Sequence, residues 1–115
     1  MDWKIYYNPR CGTCREVLEI LDAAGIRPDV VEYLEKPLSS GELDKILKMG
    51  GFQPEDIVRK KEEIYAKLGL DKKKLNRAEW LAVLSRNPIL IQRPIVVKGK
   101  KAILARPPEK VKELL

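Results

Sequence analysis

Tyr6-Tyr7-Asn8-Pro9-Arg10-Cys11-Gly12-Thr13-Cys14-Arg15 is the stretch that decides the fold of this chain, and it contains both of the chain's cysteines. An apolar run from Trp3 to Tyr7 leads into it, and a helical pattern starts directly after Cys11. A Cys-x-x-Cys pair placed between a strand and a helix is typical of a redox-active site. We therefore take this turn as the candidate centre of the protein's chemistry.

Cys11 is the candidate nucleophile. A thiol at the start of a helix faces unpaired N–H groups and the positive end of the helix dipole, which stabilise its thiolate. Arg10 and Arg15 add positive charge, so we predict that the pKa of Cys11 lies well below the free value of about 8.5. Cys14 lies one turn later on the same face. It is either a second redox thiol or a small apolar residue that packs beside Cys11.

The composition excludes several other kinds of site. Tetrahedral zinc needs four ligands, and the chain has two cysteines and no histidine, so we expect neither a metal nor a bound cofactor. The lack of histidine also excludes a nucleophile activated by a histidine-containing triad. The net charge of +6 indicates an anionic partner only weakly, because the lysines alternate with acids.

The length and hydropathy indicate a small protein of the reducing compartment. A chain of 115 residues is long enough for one domain and too short for two. We expect no membrane partner, since no apolar run approaches the roughly 20 residues of a membrane span. A single Phe argues against a stacking surface for nucleic acid. With no leader-like segment, we expect a cytoplasmic protein, where a Cys-x-x-Cys pair is more often catalytic than structural.

The periodicity of apolar residues predicts the order β-α-β, then helices, then β-β-α. The first strand–helix–strand unit implies a parallel pair of strands with a right-handed crossover. Together these elements predict a mixed four-stranded sheet with helices, which is the thioredoxin-like architecture. We expect one domain spanning residues 1–115, with a helical insertion at about 39–87. The predicted strands are Trp3–Tyr7, Asp29–Tyr33, Pro94–Lys98 and Ala102–Ala105; the predicted helices include Thr13–Ala24, one from Ser39 or Ser40 to about Met49, one starting near Asn76, and one from Pro107-Pro108 to Leu115.

Three arginines outside the cysteine turn occupy positions that a merely solvated charge rarely takes. Arg59 follows two apolar residues at a helix junction, Arg93 precedes an apolar strand, and Arg106 ends a strand. Each alone is best explained as a helix cap or an ion-pair partner. Together with a thiolate they predict a clamp for a tetrahedral oxyanion, because guanidinium groups bind such anions with two hydrogen bonds. In a thioredoxin-type fold a cis proline starts the strand that faces the cysteine turn, and cis peptides are essentially confined to X–Pro. We therefore also predict that Pro94, at the start of a strand, is cis and lies close to Cys11.

The chain resembles the glutaredoxin-coupled arsenate reductase family. The resemblance lies in Asn8–Thr13, Tyr33–Pro37, Leu68–Leu70 and, most specifically, Asn87–Val96, and it extends over nearly the whole chain. It implies a thioredoxin-like fold, reduction of arsenate to arsenite, Cys11 as the nucleophile after an Asn-Pro turn, and Arg59, Arg93 and Arg106 as the oxyanion clamp. By the same resemblance we expect Gly12 and Thr13 to bind substrate, and Asn8 and Pro94 to support the site.

One departure from this family lies at Cys14. The best-known reductases have serine there, with glutathione and glutaredoxin resolving the cysteine adduct. Here Cys14 is able to close a disulfide with Cys11, which thioredoxin or glutaredoxin would reduce; glutathione is the expected co-substrate of the other route. Two alternatives remain: a redox-switched transcriptional regulator of the Spx type that binds RNA polymerase, and a general glutathione-dependent thiol oxidoreductase. The Arg106-Pro107 pair favours the reductase.

Overall fold

The structure, a computed structural model, describes residues 2–115 and divides into two compact units. The first unit contains the chain up to Lys36 together with Arg93–Leu115, and the second is Pro37–Gln92. The second unit covers the segment predicted as a helical insertion, while the prediction of a single domain stays a prediction. None of the helices in residues 2–115 is long and apolar enough to cross a membrane.

The first unit is built on a mixed four-stranded sheet, as predicted. Its strands are β1 (Trp3–Tyr7), β2 (Asp29–Glu32), β3 (Ile95–Lys98) and β4 (Lys101–Leu104), in the order β2-β1-β3-β4. β1 pairs in parallel with β2, whereas the β1–β3 and β3–β4 pairs are antiparallel. The β3–β4 hairpin turns at Gly99, whose φ of 59° lies in the left-handed region that glycine adopts without a steric penalty.

Two helical segments cover one face of this sheet. They are α1 (Gly12–Ala23) and a C-terminal 3-10 segment, Pro108–Leu114. Burial of apolar side chains between these layers is the main favourable term in their packing. The predicted helices are confirmed here, although the last one has 3-10 rather than α geometry. The buried core of the unit consists of Trp3, Ile5, Val17, Leu21, Val96, Ala105, Val111 and Leu114.

β2 ends at Glu32, one residue earlier than predicted. The carbonyl of Glu32 accepts hydrogen bonds from the N–H groups of Glu35 and Lys36, both at 3.0 Å, and this turns the chain away from the sheet. Tyr33 therefore leaves the strand, and its side chain is fully buried at 0% exposure. The buried Tyr33 side chain interacts with Arg93.

The second unit is helical, and its helices begin at well-formed caps. They are α2 (Ser40–Gly50), α3 (Glu63–Lys67) and α4 (Arg77–Arg86), with short 3-10 turns at Pro54–Ile57, Leu70–Lys72 and Pro88–Leu90. The predicted caps of α2 and α4 are confirmed, because both helices start with a capping box, a reciprocal pair of side-chain-to-backbone hydrogen bonds that satisfies free N–H groups. α2 packs against α4. Their buried side chains are Leu43, Ile46, Leu47, Trp80, Leu81 and Leu84.

Candidate active site

Asn8 shapes the turn that presents the first cysteine. Its side chain is buried, and its Oδ1 accepts a hydrogen bond from the N–H of Arg10 at 2.9 Å. Its own carbonyl accepts from the N–H of Cys11 at 3.0 Å. An asparagine that bonds the backbone two residues later mimics a backbone turn, which explains why a polar residue is buried here. Cys11 is thereby set as the N-cap of α1, as predicted, and Gly12 and Thr13 form the first turn of that helix.

Cys11 is a partly exposed free thiol whose acidity is raised. Its burial raises its pKa, but the backbone N–H and the thiol of Cys14, together with the Arg93 guanidinium, outweigh that effect and lower the pKa to about 7. The predicted lowering is thus supported, and so is the predicted contribution of helix N–H groups, because Cys14 lies in the first turn of α1. The prediction was wrong about which arginine supplies the charge. The positive charge comes from Arg93, whereas Nη1 of Arg15 donates to the carbonyl of Pro9 at 3.0 Å.

Cys14 differs from Cys11 in both its burial and its pKa. Its side chain is fully buried, and burial, together with the nearby Cys11 sulfur, raises its pKa to about 12. At neutral pH it is therefore a protonated thiol that donates a hydrogen bond to the Cys11 thiolate. The pair thus consists of one exposed, ionisable sulfur and one buried, protonated sulfur that supports it.

Arg93 reaches the cysteines through the sheet rather than along the chain. Tyr6 in β1 pairs with Ile95 in β3, so Arg93, two residues before Ile95, lies beside the turn that follows β1. Its Nε and Nη1 atoms are buried and have no hydrogen-bond partner among the described residues. Burial would lower the pKa of Arg93, but interactions with Tyr33 and Cys11 raise it, so the group stays charged. Two buried donors that have no hydrogen-bond partner, on a cation that forms no ion pair with a carboxylate among residues 2–115, are suited to an anion.

Arg106 approaches the same sulfur from the end of β4. Its Nη1 donates to the carbonyl of Arg93 at 2.8 Å and lies 4.0 Å from the Sγ of Cys11. The Arg93–Pro94 peptide is cis, as predicted; the predicted contact between Pro94 and Cys11 stays a prediction. The Arg106–Pro107 peptide is also cis, which was not predicted, although the chain repeats the same Arg-Pro dipeptide there.

Arg59, the third predicted member of the clamp, belongs to the second unit. Its Nε forms a salt bridge with Oε1 of Glu62 at 3.1 Å, and its backbone N–H donates to the carbonyl of Leu90. The first unit thus brings together Cys11, Cys14, Arg93 and Arg106, while the part of Arg59 in binding stays a prediction.

Residues 2–115 contain no cluster of three or more His, Cys, Asp or Glu side chains that would hold a metal ion. Tyr33 is the residue at the site that sequence reasoning missed, because an aromatic residue at the end of an apolar strand is usually just part of the core.

Comparisons with known proteins show which family and which structures this chain resembles. Residues 6–114 match the ArsC family. An arsenate reductase of Haemophilus influenzae is 43% identical over 112 residues, which cover 96% of this chain and 97% of that protein. An Escherichia coli arsenate reductase is 41% identical over 96% of this chain and 79% of its own. The structure of an arsenate reductase from Vibrio cholerae superposes with a TM-score of 0.95 at 40% identity, covering 100% of this chain and 98% of that one.

Proposed function

The chain belongs to the ArsC family, and from this premise we propose that it is an arsenate reductase, an oxidoreductase that converts arsenate to arsenite. The single observation that carries the proposal is the pairing of an acidic thiol with unpartnered cationic donors. Cys11 has a pKa of about 7, and Arg93 beside it has two buried N–H groups without a partner. A nucleophile next to an empty set of anion donors suits an electrophile that is itself an oxyanion.

Binding uses the positive end of α1 and the arginines around Cys11. The free N–H groups of Gly12 and Thr13, in the first turn of the helix, favour an anion, as helix N-termini generally do. Arg93 contributes its two unpartnered donors and Arg106 a second positive charge. We include Arg59 as the third clamp residue on the strength of the family resemblance.

In the first step, the Cys11 thiolate attacks arsenic. An S–As bond forms and one As–OH bond breaks; that oxygen takes up a proton from solvent and leaves as water. The arginines stabilise the charge on the remaining oxygens as it redistributes in the transition state. Arsenic is still As(V) at this point, because no electron pair has yet been transferred to it.

In the second step, a second thiolate attacks the Cys11 sulfur. An S–S bond forms, the S–As bond breaks, and its electron pair goes to arsenic, which leaves as arsenite, As(III). The two sulfurs are oxidised in exchange. A mixed disulfide with glutathione results if glutathione attacks, and a Cys11–Cys14 disulfide if Cys14 attacks; glutaredoxin or thioredoxin then reduces it. We place this cycle in the reducing cytoplasm.

The pKa values suit Cys14 to this second step. Apart from burial, it is the neighbouring Cys11 sulfur that holds the pKa of Cys14 high. Once Cys11 is bonded to arsenic it carries no charge and no longer needs a donated proton, so this effect disappears. The pKa of Cys14 then falls at the stage when a second thiolate is required.

The test is arsenite formation by the pure protein with arsenate and one of two reducing systems, glutathione with glutaredoxin or thioredoxin. We expect turnover with at least one system and none from Cys11→Ser. Cys14→Ala separates the routes, since only the internal-disulfide route needs that sulfur. Lys73→Ala, at an exposed lysine, is the control. Absence of arsenite with both systems, while Cys11 and Cys14 still form and lose a disulfide, would overturn the reductase in favour of a redox switch.

A further inference from the structure

Tyr33 occupies an unusual position for a tyrosine. It follows directly after β2, within the turn closed on the carbonyl of Glu32, and its side chain is fully buried. A buried hydroxyl needs a hydrogen-bond partner, because leaving it unsatisfied destabilises the folded state. The guanidinium of Arg93 is one group with which the Tyr33 side chain interacts, and this interaction helps to raise the pKa of Arg93. Since a guanidinium has only donors, the phenolic oxygen is the acceptor.

The interaction matters because of what else surrounds Arg93. An arginine side chain has many rotamers, so it stays in one position only if other groups hold it there. Its Nε and Nη1 have no partner among residues 2–115, and no carboxylate is paired with it. Within residues 2–115, Tyr33 and the reactive sulfur of Cys11 are the groups whose interactions raise the pKa of this guanidinium.

The choice of a neutral acceptor has a chemical consequence. Elsewhere in the chain, Arg59 is held by the carboxylate of Glu62, and Arg77 by that of Asp44. A carboxylate fixes an arginine firmly but cancels most of its charge, whereas a phenol fixes the guanidinium and leaves the charge available. At Arg93 the charge must serve both the Cys11 thiolate and an incoming anion.

We propose that Tyr33 is a positioning residue that acts through Arg93: its buried hydroxyl holds the guanidinium against Cys11 without neutralising it. The consequence for turnover rests on the proposed arsenate reduction. The consequence for the thiolate does not, because Arg93 stabilises the Cys11 thiolate before any substrate binds. The two are therefore measured separately.

The test compares Tyr33→Phe, which removes only the hydroxyl, with Tyr7→Phe, which removes a tyrosine hydroxyl from the same unit that has no partner among residues 2–115. The first readout is the pKa of Cys11, measured from the ultraviolet absorbance of its thiolate as the pH is changed. We expect Tyr33→Phe to raise this pKa by about half a unit to one unit and Tyr7→Phe to leave it unchanged. The second readout is the KM for arsenate, which we expect to rise about tenfold in Tyr33→Phe alone.

A double-mutant cycle separates positioning from packing. In an Arg93→Ala background, Tyr33→Phe should change neither the Cys11 pKa nor the KM further, because the group through which it acts is gone. Equal effects with and without Arg93 would overturn the proposal, as would an unchanged Cys11 pKa in Tyr33→Phe. If the wild type forms no arsenite, the proposed function fails, but the pKa measurement still decides the role of Tyr33.

A measurement on the wild type keeps the test valid if Tyr33→Phe folds poorly. The side-chain N–H resonances of Arg93 in an NMR spectrum report whether the guanidinium is held in one orientation. We expect resolved Arg93 signals that exchange slowly with solvent in the absence of any anion. Signals averaged like those of an exposed arginine such as Arg10 would overturn the proposal.

Discussion

Arginines in the two units are held by partners of different charge. In the first unit, Arg93 interacts with the neutral phenol of Tyr33, which helps to raise the pKa of Arg93, and Arg106 donates to a backbone carbonyl at 2.8 Å. In the second unit, Arg59 donates to the carboxylate of Glu62 at 3.1 Å. A neutral oxygen acceptor does not compensate the positive charge of a guanidinium, whereas a carboxylate neutralises most of it. The difference shows that the group to which an arginine donates is a better indicator of its role than its position in the sequence.

The comparison ranks arginines that the sequence alone presented as equals. On our proposal, Arg93 and Arg106 act on an anion without first losing a carboxylate partner, and Arg93 already stabilises the Cys11 thiolate. Arg59 is paired with the carboxylate of Glu62, so on our proposal it must exchange that partner for the substrate. Each of the following predictions tests this ranking.

Removal of Arg93 should have the largest effect among the arginines. We expect Arg93→Ala to lower kcat/KM for arsenate by about 10²–10³-fold, the usual loss when an oxyanion donor is removed, and to raise the pKa of Cys11. Steady-state kinetics and thiolate titration measure the two effects. The control is Arg77→Ala, which breaks the salt bridge to Asp44 in the second unit and should leave both quantities nearly unchanged. Similar losses in the two variants would contradict the ranking.

The ion pair of Arg59 supplies a sharper test. If Arg59 binds substrate, Arg59→Ala should raise the KM for arsenate about tenfold, since one charge-assisted contact is lost. Glu62→Gln should lower the KM a few-fold, roughly in line with an exposed ion pair, because it releases the guanidinium. Glu63→Gln, at an exposed glutamate next to it without an ion pair among residues 2–115, is the matched control. If Glu62→Gln raises the KM as much as Arg59→Ala does, the salt bridge itself is what binding requires.

The fold was predictable because its signals are local and agree with one another. The apolar run of β1, the Pro9 turn, the cap of α4 at Asn76 and the Gly99 hairpin each specify an element from a few neighbouring residues. The end of β2 was predicted one residue too late. The turn that ends it is closed by backbone hydrogen bonds to the Glu32 carbonyl, and no side chain in the sequence indicates them.

The site was predictable as a set of residues but not as a set of interactions. Because Arg10 and Arg15 are close to Cys11 in the sequence, they were predicted to supply the positive charge that lowers its pKa. In the structure this charge comes from Arg93, which the pairing of β3 with β1 places beside the cysteine turn. Such long-range placement leaves no local signal. Tyr33 was missed for a similar reason, since its role depends on where Arg93 lies.

Neutral groups around Cys11 should also control its reactivity with pH. In the wild type, alkylation of Cys11 by iodoacetamide should be half-maximal at about pH 7 and fall about tenfold per pH unit below that, as the thiolate takes up a proton. Cys14→Ala removes the thiol donor and should raise the pKa of Cys11 by about half a unit, slowing alkylation at neutral pH. Cys14→Ser keeps a donor and should stay close to the wild type. An unchanged profile in Cys14→Ala would mean that Cys14 only packs beside Cys11.

The smallest effect should come from the second unit's framework, where a change ought to cost stability and leave the thiol chemistry alone. The side chain of Asn76 accepts a hydrogen bond from the N–H of Glu79 at 2.8 Å at the start of α4. We expect Asn76→Ala to lower the free energy of unfolding by about 1 kcal/mol, measured by urea denaturation, because that N–H loses its partner. Lys73→Ala, at an exposed lysine just before the helix, should cost much less. The pKa of Cys11 should stay at about 7 in both variants, since its causes, Cys14 and Arg93, all lie in the first unit. A shift of that pKa in Asn76→Ala would show that the thiolate depends on the order of the helical unit, and the division of tasks between the two units would then have to be abandoned.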